Sequence, residues 1–442
     1  MNFAHTKCLK KYLSFLILFG LIDGAYAAGF QLLEQDAASI GEFHAGYAAL
    51  GRDASTGFYN PAGLTFIKNK QVVFGGLEAI SDVKYTGNIS VTGIDGGTPQ
   101  PVVAQGGVSA FVPFFHYAQP LCDKYYFSFN IDVPFGSKVS YGRSTLIQYA
   151  TVRANLQTVD ISPAIGYQAN DKLSLGAGLD FQPMMAQFVQ MGINGSDTAN
   201  STNKMNDIGY GVHFGGIYQY SSTGRVGLSY HSQVFHHVTG YSLLRGPLAD
   251  SWNDGKSIRS NGASMNITLP AYTALSVVEN VNPQLTVMGS AIFTQWSVVN
   301  TLILKNVAGL VDTVPSQNVN VIDPQHFRNT WTLSVGADYN VSEKMILRGG
   351  LGYDQTPTNN SYRNVLLPDN NRYIVALGGH YQSTKTIGID LSWMHVFMSN
   401  AAIHPPAQVA GDNVVTTTSV NKKGSGNPGG DVYAAQITWN IL

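Results

Sequence analysis

The sequence predicts an all-β protein: a transmembrane antiparallel β-barrel of about 14 strands with an N-terminal plug in its lumen. Three observations carry that expectation. Charged residues make up 12% of the chain, about half the share usual in soluble domains, while Tyr (23) and Phe (21) are abundant. Beyond the leader, no stretch approaches the ~20 consecutive apolar residues of a membrane helix. Segments of apolar/polar alternation are joined by links that are alternately short and long, as periplasmic turns and extracellular loops are.

The first residues form a separate unit. Lys7, Lys10 and Lys11 precede an apolar run from Leu13 to Ile22, and Ala25-Tyr26-Ala27 follows. A basic start, a short apolar core and an A-x-A site make a secretory signal peptide over residues 1–27. The run is too short for a membrane helix, and Asp23-Gly24 ends it. Cys8 lies in the leader, so Cys122 is left alone and no internal disulfide staples the exported chain. The formal net charge of -1 gives no support for nucleic-acid binding.

The strands follow from period-2 alternation. Phe327, Asn329, Trp331, Leu333, Val335, Ala337, Tyr339 and Val341 form one face, and Arg328, Thr330, Thr332, Ser334, Gly336, Asp338 and Asn340 the other. Tyr125, Phe127, Phe129, Ile131 and Val133 repeat the pattern, as do Leu173 to Phe181, Tyr373 to Tyr381 and Tyr433 to Ile441. The expected spans are 70–84, 106–119, 124–133, 157–169, 172–188, 206–220, 224–237, 264–280, 284–304, 327–340, 344–354, 371–382, 385–397 and 431–442. Short links such as Asn170-Asp171, Asn282-Pro283 and Ser383-Thr384 alternate with long Gly/Asn/Ser/Pro-rich ones, which puts both barrel ends in the periplasm. A soluble sandwich or propeller would wet its outward faces with polar residues. Here one face is consistently aromatic and aliphatic, and lipid suits it. A Lys or Arg there would cost about 2–4 kcal/mol at mid-bilayer, so the charges fall on the other face.

Residues 28–69 break the pattern. They are small-residue stretches followed by Gly51-Arg52-Asp53-Ala54-Ser55 and Asn60-Pro61-Ala62-Gly63-Leu64, with Pro61 suited to a first helical turn. A barrel of about 14 strands is wide enough to hold such a segment. The expected domains are therefore a leader (1–27), a lumenal plug (28–69) and the barrel (70–442).

Ala28-Gly29-Phe30-Gln31-Leu32, Ala48 to Ser55 and above all Asn60-Pro61-Ala62-Gly63-Leu64 resemble the FadL/TodX family of outer-membrane long-chain fatty acid and hydrocarbon transporters. Pro134-Phe135-Gly136, Arg348 to Pro357 and Leu367 to Arg372 are similar to further parts of that family's pattern. The resemblance spans essentially the whole mature chain. It implies a 14-stranded barrel in the bacterial outer membrane, closed by an N-terminal hatch, with ligand leaving sideways beside a kinked strand. On that reading Phe30, Asn60, Pro61 and Ala62 belong to the hatch, and Pro134, Phe135 and Gly136 to the kink and lateral exit. The chain ends Trp439-Asn440-Ile441-Leu442, whereas barrels of this kind commonly end on an aromatic residue.

The expected function is passive uptake of long-chain fatty acids. The alternatives are an aromatic-hydrocarbon channel of the toluene type, or a general porin. A fatty acid needs an apolar track, at about 0.8 kcal/mol per buried methylene, and a cation for its desolvated carboxylate. Arg348, Arg328 and Arg372 fall on lumenal positions and are the carboxylate candidates, with Arg348 first; its alternative is an ion pair with Asp338. Arg52-Asp53 reads as an internal hatch pair. His213, His231 and His380 are scattered singly on strands, as are Asp160, Asp180 and Asp390, so all read as lumenal polar wall. No His/Cys metal site assembles by spacing, and no cofactor is implied. Tyr230-His231-Ser232 is strand alternation and not a catalytic arrangement, so no enzyme is expected. The expected partners are a hydrophobic small molecule and outer-membrane lipid, and the barrel is expected to act as a monomer.

Overall fold

The computed structural model describes residues 29–91, 94–311, 314–403, 409–410 and 421–441. The expected leader, with Ala28 and the terminal Leu442, lies outside the described residues. Fourteen strands cross in sequence: β1 Lys70–Ser90, β2 Ser109–Cys122, β3 Tyr125–Asp132 continuing as Gly136–Ser140, and β4 Arg153–Thr158 continuing as Asp160–Gln168. Next come β5 Leu173–Asn194, β6 Asp197–Gln219, β7 Gly224–His231 continuing as Val234–Arg245, and β8 Ile258–Leu269 continuing as Tyr272–Asn280. The circuit ends with β9 Leu285–Thr294, β10 Thr330–Ser342, β11 Met345–Asp354, β12 Arg372–Gln382, β13 Ile387–Met398 and β14 Asn421–Ile441. Each pairs antiparallel with the next, and β14 returns to β1 from Lys70↔Ile441 to Ser90↔Asn421. Closure removes the sheet edges that hydrocarbon could not satisfy.

The alternation holds along most strands. On β10 the outward Trp331, Leu333, Val335 and Tyr339 are exposed, while Thr330, Thr332 and Ser334 are buried in the lumen. On β14, Tyr433, Ile437 and Trp439 face outward and Ala434, Gln436 and Thr438 inward.

Three expectations are corrected. The span 284–304 is two elements: β9 stops at Thr294, and Thr301–Val311 pairs with Val314–Pro324 as a separate outer hairpin. Phe327, assigned by alternation to the lipid face, lies three residues before β10 begins and turns into the lumen, 6% exposed. Val133, assigned to the same face, is 1% exposed because β3 breaks directly after Asp132. Alternation governs a residue only while the ladder persists.

The lumen is filled, not open. Residues 29–69 lie inside the wall as α1 (Ala37–Ile40), α2 (Thr56–Tyr59) and a 3-10 turn over Pro61–Phe66, nearly all of them buried. Helical pieces this short are unstable alone, so attachment to the wall holds their shape.

Candidate functional site

Asn60 ties the plug to the wall. Its Oδ1 accepts from the Ala62 amide at 3.0 Å, and its Nδ2 donates to the carbonyls of Ala48 at 2.5 Å and, on the wall, Leu228 at 3.3 Å and Gly216 at 3.4 Å. Pro61 follows at the first 3-10 position, where no amide donor is needed. The wall facing Asn60 is Gly215, where a Cβ would stand 1.8 Å from Asn60 Oδ1. Phe30, Asn60, Pro61 and Ala62, all named by the sequence, thus lie inside the barrel as one buried assembly.

A second attachment is ionic. Arg52 meets Glu42 and Asp338 at 2.7 Å each, while Arg348 meets Asp390 at 2.5 Å, Glu42 at 3.6 Å and Asp338 at 3.8 Å. Gln436 connects this group to α1: its Oε1 accepts from the Ala37 amide at 2.8 Å, and its Nε2 donates to Asp53 and Asp390 at 3.2 Å each. The expected Arg52-Asp53 pair therefore divides, with Arg52 turning to the wall and Asp53 accepting from Ser55 and Gln436. Burial raises the Glu42 carboxyl to about 8, opposed by Arg52 and Arg348, and raises Glu34 to about 7. Burial also lowers His44 to about 4.

A third attachment brings together residues that sequence spacing left apart. Asp180 and His213 Nδ1 are 2.6 Å apart, and His213 Nε2 reaches the Gly57 carbonyl of α2 at 3.2 Å. His231 stacks between His213 and Tyr272, with centroids at 5.0 and 4.5 Å. The donor atoms of Asp180, His213 and His231 lie within 4.8 Å of one another. Both His213 nitrogens are already engaged, however, and near-parallel rings do not aim their in-plane lone pairs at a shared point. The arrangement suits a carboxylate-histidine-carbonyl tie on the plug. His380 joins the ionic group instead, at 3.0 Å from Asp390.

The fourth attachment is at the kink. The β2–β3 ladder runs from Cys122↔Tyr125 to Phe115↔Ile131 and stops, leaving Ser109 to Phe114 without a β3 partner among the described residues. β3 bends inward through Val133, Pro134 and Phe135, and its lost partners come from the plug. Gln35 Nε2 donates to the Val133 carbonyl at 3.0 Å, and the Val133 amide donates to Gln35 Oε1 at 2.8 Å. The Leu32 amide then donates to the Pro134 carbonyl, and the Gly136 amide to the Phe30 carbonyl, both at 2.8 Å. Plug residues 30–35 thus act as a substitute strand for the bent wall. The family resemblance had placed Pro134, Phe135 and Gly136 at the kink; that Gln35 fills it had no local signature.

Above the kink stands an aromatic group from distant parts of the chain. Phe30 packs on Trp296 (4.7 Å between centroids) and Phe135 (6.1 Å), and Trp296 on Phe327 (5.8 Å). Farther out lies a cavity of about 180 Å³, lined among others by Phe188, Leu244, Met265, Leu304, Val307 and Val319. Met265, Leu304, Val307 and Val319 belong to the same contiguous apolar cluster as Phe30, Phe135, Trp296 and Phe327. An unbroken apolar track therefore joins the outer cavity to the kink. Among the described residues neither Lys nor Arg lines the cavity, and Asp323 is the one charged residue of its lining.

The three arginines named by the sequence separate. Arg348 is buried in the ionic group that joins the plug to the wall. Arg372 is held by Asp369 at 2.6 Å and Asp354 at 3.7 Å. Arg328, next to Phe327, is exposed, and its Nε donates to the neutral Thr356 carbonyl at 3.2 Å. Buried Arg363 donates to Thr358, Asn360 and the Ala402 carbonyl. Burial lowers its pKa, partly offset by Asp369, and the charge of Arg328 lowers it further.

Comparison with known proteins agrees with this anatomy. A family profile described as "Outer membrane protein transport protein (OMPP1/FadL/TodX)" matches residues 22–438. Outer membrane protein P1 of Haemophilus influenzae is 26% identical, covering 98% of this chain and 100% of its own. The long-chain fatty acid transport protein of Escherichia coli O6:H1 is also 26% identical, covering 84% and 87%. Among solved structures, a Pseudomonas aeruginosa FadL homologue superposes with a TM-score of 0.83 at 24% identity, covering 94% of this chain and 100% of its own. The toluene transporter TbuX of Ralstonia pickettii superposes with 0.67 at 17% identity, covering 96% and 100%. The chain belongs to the OMPP1/FadL/TodX family of outer-membrane transport proteins, β-barrel channels for hydrophobic molecules.

Proposed function

We propose that this protein takes up long-chain fatty acids by passive diffusion, acting as a monomer. The observation that carries the proposal is the apolar track from the outer cavity through Trp296, Phe30 and Phe135 to the kinked strand. Each methylene entering it gains about 0.8 kcal/mol. The carboxylate needs a cation at the outer end, and Arg328 is the candidate whose contact is neutral and whose neighbour Phe327 is on the track. Arg348 and Arg372 would first have to release Asp390 or Asp369, at the cost of breaking a buried pair. The tail then crosses the aromatic group, the hatch shifts, and ligand leaves between β2 and β3 where their ladder stops. The named Escherichia coli relative supports the fatty acid reading.

The cavity favours a second reading. Its volume of about 180 Å³ exceeds the roughly 150 Å³ apolar cavity that accepts benzene, and among the described residues its lining carries no cation for a carboxylate. A monoaromatic hydrocarbon satisfies both. Equilibrium binding of labelled oleate and toluene to the detergent-purified barrel, with Arg328→Ala alongside, separates the two. Oleate binding weakened by the substitution supports fatty acid uptake. Toluene binding without oleate binding selects the hydrocarbon channel. Failure of both ligands removes the transport proposal.

A further inference from the structure

The outward surface of the barrel is not uniform in charge. On β6 the lipid-facing Tyr218, Phe214, Tyr210 and Ile208 are 47–67% exposed. They span the 9–11 residues a tilted membrane strand needs. The next outward positions lie at the outer membrane surface, and there the character changes. One rung of partnered residues runs Arg153↔Val189, Val189↔Thr202, Thr202↔Leu243, Leu243↔Arg259 across β4, β5, β6, β7 and β8. The rung below runs Asn155↔Gln187, Gln187↔Lys204, Lys204↔Tyr241. The lowest runs Asn206↔Thr239, Thr239↔Ser264, Ser264↔Lys305, and above all three Arg245 pairs with Asn200.

Paired residues in antiparallel strands share a face, so Arg153, Lys204, Arg245, Arg259 and Lys305 all point outward, and all five are exposed. Arg143 reaches the same surface, donating to Asn200 Oδ1 at 3.0 Å. No Asp or Glu occupies these rungs. Asp207 on β6 is turned to the His237 amide at 2.9 Å and to His236 at 3.6 Å. Arg259 is braced by Asn261 at 2.8 Å and lies 4.4 Å from the Tyr241 ring. Four strand intervals of about 4.8 Å separate Arg153 from Arg259, about 19 Å, and Lys305 stands one interval farther on the outer hairpin. Where β14 meets β1, by contrast, the outward rim is mixed in sign: Asp82 and Asp431, the latter held by His395 and Trp393, share it with Lys84.

These cations cannot serve the transported molecule, because they stand on the wrong side of the wall. They lie instead just above an apolar band whose upper members, Met185, Ile208 and Phe235, are each exposed. We infer that this face binds a phosphorylated glycolipid of the outer leaflet, its phosphates on Lys204, Arg259, Lys305 and their neighbours and its acyl chains along the band below. Guanidinium groups match phosphate in bidentate geometry, and polar rung members such as Asn206 and Gln187 suit sugar hydroxyls. The lipid would anchor and orient the barrel in one sector of its circumference.

The test uses the full barrel in detergent with bisphosphorylated lipid A as probe, against the same lipid dephosphorylated. Each Lys or Arg at an anionic surface contributes about fivefold in affinity at low salt. Lys204→Ala/Arg259→Ala/Lys305→Ala should therefore bind the bisphosphorylated lipid on the order of a hundredfold more weakly, with heat-modifiable mobility on gels confirming that it is folded. Lys204→Arg should retain binding. The proposal is overturned if the dephosphorylated lipid binds equally, or if the triple substitution changes nothing. It is also overturned if inorganic phosphate at millimolar concentration displaces the lipid completely, since the face would then be a free-anion site.

Discussion

Gln35 and Val133 exchange a pair of hydrogen bonds, 2.8 Å from the Val133 amide to Gln35 Oε1 and 3.0 Å from Gln35 Nε2 to the Val133 carbonyl. A side chain of the plug imitates the backbone of a missing neighbouring strand. The state of the plug and the shape of β3 are thereby linked, since the bend exposes polar groups that only the plug answers.

Replacing Gln35 by Ala leaves a buried amide and a buried carbonyl without partners, at about 1–3 kcal/mol each. Hydrogen exchange at Val133, Phe135 and Gly136 should accelerate at least tenfold, with exchange in β10–β12 unchanged. Equal protection in both proteins would mean that the kink holds itself.

The hatch should loosen with alkali. Burial raises Glu42 to about 8 and Glu34 to about 7 from 4.5. A carboxyl raised in the folded state stabilises fully below its ordinary value and loses that contribution as pH rises through the folded value. His44, lowered to about 4 from 6.5, acts in the opposite sense, with stability lost as pH falls from 6.5 toward 4. From pH 6.5 to 8 His44 stays neutral while both glutamates lose their protons, so exchange protection of residues 37–60 should fall across that window. Glu42→Gln should flatten the upper half of the profile; an unchanged profile would remove Glu42 from the account.

Gly215→Ala tests the seat of the Asn60-Pro61-Ala62 turn. The added methyl would meet Asn60 Oδ1 at 1.8 Å, so Asn60 must leave its bonds to the wall. Losing the cap alone costs about 1 kcal/mol. Single-channel recordings should show an ion conductance that the native plug suppresses. A closed channel with native thermal stability would show that the turn can seat elsewhere.

Leu304 lines the outer cavity and is 9% exposed. Leu304→Trp fills that space, and overpacking costs about 1–3 kcal/mol locally. Ligand affinity should drop by an order of magnitude or more with the barrel still assembled. Unchanged affinity would move the binding site off this cavity.

The barrel was legible in the chain because a strand's side chains alternate with period two, and lipid on one side turns that period into composition. The outward aromatics, the short periplasmic turns and the lumenal position of Arg348 and Asp390 all follow from this local rule. Pro61 likewise marked a helical turn by what proline cannot do, while the kink at Pro134 came from the family resemblance. Which groups meet inside the barrel obeys no such period. Arg52 takes Glu42 and Asp338 in place of its neighbour Asp53, and Asp180 finds His213 across β5 and β6. Trp296 and Phe327, from the loops flanking the outer hairpin, close over Phe30 from the far end of the chain. Those choices depend on strand register, on how deep the plug sits and on where a bent strand needs a donor. Alternation along the chain determined the wall and its two faces. Only the closed circumference, which brings residues hundreds of positions apart into one desolvated space, decided how the lumen is filled and which cations are left for a ligand.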